Sequence, residues 1–216
     1  MRQLIEDLAN DVKGKDIYVI GGGTSFDANA PYMDRIPKDR TVCLNSALDD
    51  FDECLACMFM DSSWQGNNMK KLREGRQKYA VRFNINVKKH DTGPNEFILY
   101  VRNVSLSQCN FDPKRRKEKY DVCGNNVGVC AIDLLDQLGA RKIYLLGFDC
   151  NSNGDSKSHY HTRYNRMVKQ STYNKNFIPC FEKLATHLPK GKVENLSPNS
   201  KIDCFPKRNI NSFTFP

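Results

Sequence analysis

The feature that most constrains this chain is a series of short apolar runs, most of which end in glycine or small polar residues. DIYVIGGG (16–23), TVCLNS (41–46), CLACMFMDSS (54–63) and RKIYLLGFDC (141–150) have this form. YAVRFNI (79–85) and FILYVRN (97–103) are rich in β-branched and aromatic residues, and KVENLSPNS (192–200) reads as a last strand with its exit loop. Runs this short and this continuously apolar suit strands buried on both faces. Helical spacing appears in NNVGVCAIDLLDQLGA (125–140), which closes on Gly139, and in NFIPCFEKLATHL (176–188), with Pro179 near its start. MRQLIEDLANDVKGK reads as a short amphipathic N-terminal helix rather than a signal peptide. The alternation predicts an α/β, Rossmann-like fold: a mostly parallel sheet with helices on both faces, in a single domain over 1–216.

With 216 residues there is enough chain for one substantial core. No apolar run reaches the length of a membrane span, and a cytoplasmic protein is the expectation. The nine cysteines sit mostly inside apolar runs, which suits buried free thiols. Cys54 and Cys57 form a lone C-x-x-C with no second pair at zinc-like spacing, so no metal ligands are assigned. The net charge of +8 favours phosphate-bearing partners, such as nucleotides, nucleic acid or anionic lipid. Part of it is the run Lys114–Lys117 with Lys119, which lacks interleaved aromatic residues and reads first as a solvated loop.

In an open parallel sheet, ligands bind beyond the carboxyl ends of the strands. Those ends are where this sequence concentrates glycine and polar side chains. The first strand exits into Gly21, Gly22, Gly23, Thr24 and Ser25, a turn whose backbone can approach a phosphate closely. It is not a Walker motif, because the Lys-Ser/Thr pair is missing, and the dinucleotide fingerprint would need glycine where Phe26 stands. A tight turn with no ligand is the alternative reading of the glycines. Later exits supply Asn45 and Ser46, Asp61, Gly147 and Asp149, and the segment containing Ser197 and Ser200. Asn45 and Asp61 suit either a ribose or base contact or a helix N-cap. Asn126, with Val127 and Gly128, opens a helix and offers both a cap and an anion-facing N-terminus. Trp64 suits either a stacking platform or a half-buried anchor.

The stretch KSHYHTRY (157–164) carries two of the chain's four histidines. Histidine is the side chain best placed to take a proton near neutral pH. Arg163, Tyr160 and Tyr164 are suited to a departing phosphate. His159 and His161, at i and i+2, would also share one side of an extended segment as metal ligands. Asp149 and Asp155 could complete such a site or hold Mg2+ with a nucleoside triphosphate.

Taken in order, VIGGGTSF, CLNSAL, GNNVGVCAIDLLDQLGARKIYLLGFDCNSNG, SHYH and NLSPNSKI resemble the small nucleotide-binding transferases grouped with Campylobacter-type sialyltransferases (glycosyltransferase family 42-like). The archaeal-type 6-hydroxymethylpterin diphosphokinases, the DUF115 proteins and many phage proteins are similar in the same way. The resemblance covers roughly residues 16–206. It implies that Gly21, Gly23, Thr24, Ser25 and Asn45 hold an activated nucleotide donor. It also implies that His159, within Ser158-His159-Tyr160, is the general base on an acceptor hydroxyl. Where those sialyltransferases carry a Ser-Gly turn, this chain has Asn126, Val127 and Gly128.

Three functions follow. The first is a glycosyltransferase moving a sugar from a nucleotide-sugar to a hydroxyl, with His159, His161 and Asp149 as catalytic candidates. Its acceptor is open: a surface glycan or, given the charge, nucleic acid such as modified phage DNA. The second is a diphosphokinase passing pyrophosphate from ATP with Mg2+ held by Asp61, Asp149 and Asp155. The third is a non-catalytic nucleotide-binding protein of phage origin, which would place it in the host cytoplasm. A homo-oligomer is compatible with all three.

Overall fold

The computed structural model describes residues 2–27, 30–85, 97–104, 111, 112, 114, 116, 118–152 and 168–215. Eight parallel strands form one sheet: β1 (Asp16–Ile20), β2 (Thr41–Leu44), β3 (Ala56–Phe59), β4 (Tyr79–Asn84), β5 (Ile98–Val104), β6 (Val122–Cys123), β7 (Lys142–Leu146) and β8 (Val193–Asn195). Their order is β6-β5-β4-β3-β2-β1-β7-β8. The chain builds outward from β1 to β6, then crosses back to lay β7 against the other side of β1. The strand order therefore reverses between β1 and β7, the position at which open α/β sheets form their ligand crevice.

Alternation along each strand divides the core in two. Ile17 and Val19 join Val42, Val81 and Leu145 on one face, while Tyr18 and Ile20 join Cys43, Phe59 and Leu146 on the other. The first face is covered by three helices: α1 (Arg2–Val12) through Ile5, Leu8 and Val12, α3 (Val127–Gln137) through Ile132 and Leu135, and α4 (Ile178–Ala185) through Phe181 and Leu184. The second is covered by α2 (Ser62–Glu74) through Trp64 and Leu72, by short 3-10 turns, and by the C-terminal segment through Ile210 and Phe213. The predicted fold class holds.

Three local features differ from the sequence reading. The run 54–63 is a strand only over Ala56–Phe59, and Asp61 caps a helix, α2, that its weak apolar periodicity conceals. The helix read over 176–188 is α-helical from Ile178 to Ala185 and is preceded by a π-helical turn, Tyr173–Phe177, and a single α-turn, Gln170–Thr172. Pro179 has no N–H to give the carbonyl of Lys175, and the backbone widens just before it. Thirdly, Cys123 is disulfide-bonded, against the expectation of free thiols. An apolar surrounding predicts burial, but which cysteines approach each other is a tertiary matter. Cys43, Cys54, Cys57, Cys130, Cys150, Cys180 and Cys204 are free. Burial pushes Cys43, Cys57 and Cys130 well above the ordinary thiol range, which leaves them inert packing groups.

One described residue of the basic run is used internally: Arg116 pairs with Asp133 on α3 at 2.6 Å, whereas Lys119 is exposed and lies 4.4 Å from the centre of the Tyr120 ring. Asp133 is almost fully buried, and burial pushes its carboxyl up to about 6 against the pull of Arg116 and of the Cys123 N–H. A folded-state value above the unfolded one means that the native protein binds the extra proton. Stability from this group is thus fullest below about pH 4 and is lost as pH rises through about 6. Chemical denaturation between pH 4 and 7 is expected to show this falling component, and Asp133→Asn to remove it. An unchanged slope in the variant would mean that other groups set it.

Candidate functional site

A cleft opens at the carboxyl ends of β1, β2 and β7, and its polar wall is built from the loops that follow them. Gly21, Gly22, Gly23, Asn45, Ser46, Gly147 and Asp149 line it, joined by Asn126, Val127 and Gly128 from the start of α3. Leu44, Phe148, Cys150, Tyr173, Phe177 and Phe181 complete the lining.

The β1 and β7 loops are locked together. Gly21 N–H donates to Leu146 O and Gly23 N–H to Gly147 O, both at 2.8 Å. A side chain at Gly23 would place Cβ 2.6 Å from Gly147 O and 2.7 Å from Asp149 Oδ2. Gly147 itself has φ +68, which an L side chain adopts only with strain. These glycines are therefore explained by close packing of two loops, whatever the cleft binds.

Asp149 is the centre of that junction. Its Oδ2 accepts Ser25 N–H at 2.7 Å and Thr24 Oγ1 at 3.2 Å, and its Oδ1 accepts the Ser25 hydroxyl. Ser197 Oγ lies 2.8 Å from Ser25 Oγ and accepts Phe148 N–H at 3.3 Å. Ser200 Oγ donates to Phe148 O at 2.6 Å. Thr24, Ser25, Ser197 and Ser200 are thus supports behind the wall rather than parts of its lining. Asp61 is elsewhere: it accepts Trp64 N–H at 2.9 Å and Ser63 Oγ at 2.6 Å as the cap of α2. Those hydrogen bonds, that from Ser63 foremost, hold its carboxyl below the usual range. Trp64 is a buried anchor whose Nε1 donates to Ser46 Oγ at 3.0 Å, fixing Ser46 at the cleft.

Two features of the lining point to a ligand. The β1 loop runs into 3-10 turns, Met33–Arg35 and Lys38–Arg40, so the long helix N-terminus at the cleft is that of α3. Asn126 caps it by accepting Val129 N–H at 3.0 Å, and Cys130 N–H donates to Asn126 O at 3.2 Å. The N–H groups of Val127 and Gly128 then have no acceptor within the helix, the arrangement that receives an anion. Asn45 is the second. It holds φ +49, a left-handed conformation, and its Oδ1 is buried without a hydrogen-bond donor among the described residues. A buried polar atom left open is costly and is filled by water or ligand.

The rest of the wall is apolar. Tyr173 and Phe177 pack edge to face with ring centres 5.6 Å apart, and Phe148 meets Phe181 in the same way at 6.1 Å. Gly128 admits that second pair, since a Cβ there would lie 2.8 Å from Phe148 Cε1. This wall was missed in the sequence, although Tyr173, Phe177 and Phe181 recur at i, i+4 and i+8. A stripe of that spacing also describes any buried helix face.

Among solved structures, the chain is similar to the MAf glycosyltransferase of Magnetospirillum magneticum AMB-1, with TM-score 0.63 and 15% identity over 94% of this chain and 35% of that one. It is similar to the sialyltransferase CstII of Campylobacter jejuni in complex with cytidine-5'-monophosphate, with TM-score 0.53 and 18% identity over 94% and 89% of the two chains. It is also similar to the monofunctional α-2,3-sialyltransferase Cst-I of the same organism, with TM-score 0.51 and 18% identity over 93% and 83%. The fold is shared with these glycosyltransferases. The chain spans about a third of the length of the first of them. No family profile matches the chain, and no curated protein does.

His159, Tyr160, His161, Arg163 and Tyr164, with Asp155, lie outside the described residues. The described chain stops at Ser152 and resumes at Val168, and its two edges are tied. Gln170 Oε1 accepts Ser152 N–H at 2.8 Å, and Gln170 Nε2 donates to Cys150 O at 3.1 Å. Among the described residues no three His, Cys, Asp or Glu side chains converge as metal ligands, and no helix is long and apolar enough to cross a membrane.

Proposed function

We propose that the cleft binds a nucleotide-sugar and that the protein is a glycosyltransferase passing the sugar to a hydroxyl acceptor. The observation that carries this reading is Asn45: a half-buried residue in left-handed conformation beside the switch point of the sheet, whose buried amide oxygen has no donor among the described residues. In support, CstII was solved with cytidine-5'-monophosphate and with CMP-3FNeuAc. In this reading the α3 N-terminus receives the phosphate, which lies against the Gly21–Gly23 loop, and Asn45 and Ser46 receive the ribose or base. His159 takes the acceptor's proton as the acceptor oxygen bonds to the sugar carbon and the bond to phosphate breaks. Arg163, Tyr160 and Tyr164 balance the charge of the departing phosphate. His161 is a second candidate for proton transfer. The acceptor class, nucleic acid included, is left to experiment.

Pyrophosphate transfer from ATP has less support, because Asp61 caps α2 away from the cleft and both Asp149 oxygens are engaged by Thr24 and Ser25.

The test is a thermal-unfolding screen against CMP, UMP, UDP, CMP- and UDP-sugars, and ATP with and without Mg2+. At tenfold excess over Kd, a ligand of the native state adds about 1.4 kcal/mol, which raises Tm by roughly 3–6 °C in a chain of this size. Stabilisation by a nucleotide-sugar, followed by release of its nucleotide on incubation with acceptors, supports the proposal. Stabilisation by ATP with Mg2+ alone favours the diphosphokinase. Binding without turnover on any acceptor leaves a binding protein.

A further inference from the structure

The π-helical turn Tyr173–Phe177 has no part in the reading above, yet two of its side chains form cleft wall. Neither Tyr173 nor Phe177 belongs to either core cluster, whereas Phe181, one turn further on, belongs to the first. A π-turn inserts about one extra residue, which rotates what precedes it by ~100° relative to a continuous α-helix. That rotation accounts for aromatic rings that face the cleft instead of extending the core stripe. Phe177 is only half-buried, so its ring keeps an open face.

The turn is held from both sides by loops that build the cleft. Asn125 Nδ2, at the entrance to α3, donates to Asn176 O at 2.7 Å. Gln170 Nε2 donates to Asn174 Oδ1 at 2.9 Å while also holding Cys150 O at 3.1 Å. An aromatic pair fixed in place before binding presents a stacking surface with little further loss of side-chain freedom. The same cleft is lined by the Gly21–Gly23 loop and Asn45. A flat ring with polar edges suits a cleft lined by both aromatic and polar groups.

We propose that Phe177, backed by Tyr173, is the specificity-determining platform of the cleft and stacks on the face of a donor ring. The inference rests on the nucleotide-sugar reading and deepens it. Two rings of such a donor have a face suited to stacking, the base and the glycosyl ring, and the experiment separates them.

The measurement is calorimetric titration of wild type, Phe177→Leu and Phe177→Tyr with CMP, UMP, CMP-N-acetylneuraminic acid and UDP-glucose, with circular dichroism confirming the fold. Leucine keeps apolar bulk but removes the ring, so affinity is expected to fall about tenfold, while tyrosine stays within about twofold of wild type. A loss seen already with the monophosphates assigns the platform to the base. A loss confined to the nucleotide-sugars assigns it to the glycosyl ring. Wild-type affinity in Phe177→Leu for every nucleotide that the wild type binds overturns the inference and leaves the nucleotide reading intact. No binding by the wild type overturns that reading itself. Phe177→Met, which also removes the ring while keeping apolar bulk, is expected to weaken the same ligands and serves if Phe177→Leu does not fold.

Discussion

Asp149→Ala is expected to cost about 2–4 kcal/mol of stability, to lower Tm by roughly 5–12 °C, and to abolish binding at the cleft. The carboxylate receives the Ser25 N–H, the Ser25 hydroxyl and the Thr24 hydroxyl, so one substitution strands the Ser25 N–H and the Thr24 hydroxyl and leaves the Ser25 hydroxyl only Ser197. The side chain is also the tie between the loops that follow β1 and β7, which are distant in sequence and adjacent at the switch point. Without it the Gly21–Ser25 loop loses its side-chain attachment to the β7 loop and keeps only that of Ser25 to Ser197. Asp149→Asn separates this role from acid–base chemistry. The amide retains one acceptor oxygen and loses the other, so intermediate stability with proportionate loss of binding is expected. Wild-type stability and affinity in Asp149→Asn, with turnover gone, would instead make Asp149 a proton-transfer group.

Gly23→Ala is expected to be nearly as damaging, at roughly 2–3 kcal/mol with loss of cleft binding. The added carbon would sit 2.6 Å from Gly147 O and 2.7 Å from Asp149 Oδ2, neither of which is the free end of a flexible side chain. Relief requires the loop to move away from Gly147, which breaks the 2.8 Å hydrogen bond between them and draws Ser25 from Asp149. Gly66→Ala is the matched control. Gly66 lies within α2 and has open space where a Cβ would stand, so alanine there should stabilise by about 0.5–1 kcal/mol. Equal, small effects at the two positions would mean that the first loop is looser than its packing implies.

Much of the site was legible before any fold was known. Apolar runs ending in glycine, asparagine and aspartate mark carboxyl ends of parallel strands, and those ends converge in every such sheet. Gly21, Gly23, Asn45, Gly147 and Asp149 were found on that ground, Asn126 and Gly128 as the start of a helix, and all line one cleft. Asp61 ends a strand as well, yet β3 lies two strands from β1, and its carboxylate is spent on the α2 cap. Spacing along the chain carries no signal for that difference.

What the sequence determined by itself was therefore the burial of the strands on both faces, the class of sheet they build, and the chemical character of its carboxyl edge. These are local properties, fixed by side-chain type and backbone preference. Tertiary structure alone decided which strand ends meet, because β7 reaches β1 only after the chain has crossed the whole sheet. It decided that Asp149 supports a loop, and that Cys123 is disulfide-bonded. It also turned Tyr173 and Phe177 from a helix stripe into a cleft wall: Pro179 widens the backbone locally, but the loops that complete the cleft, and the Asn125 tether to Asn176, come from distant parts of the chain.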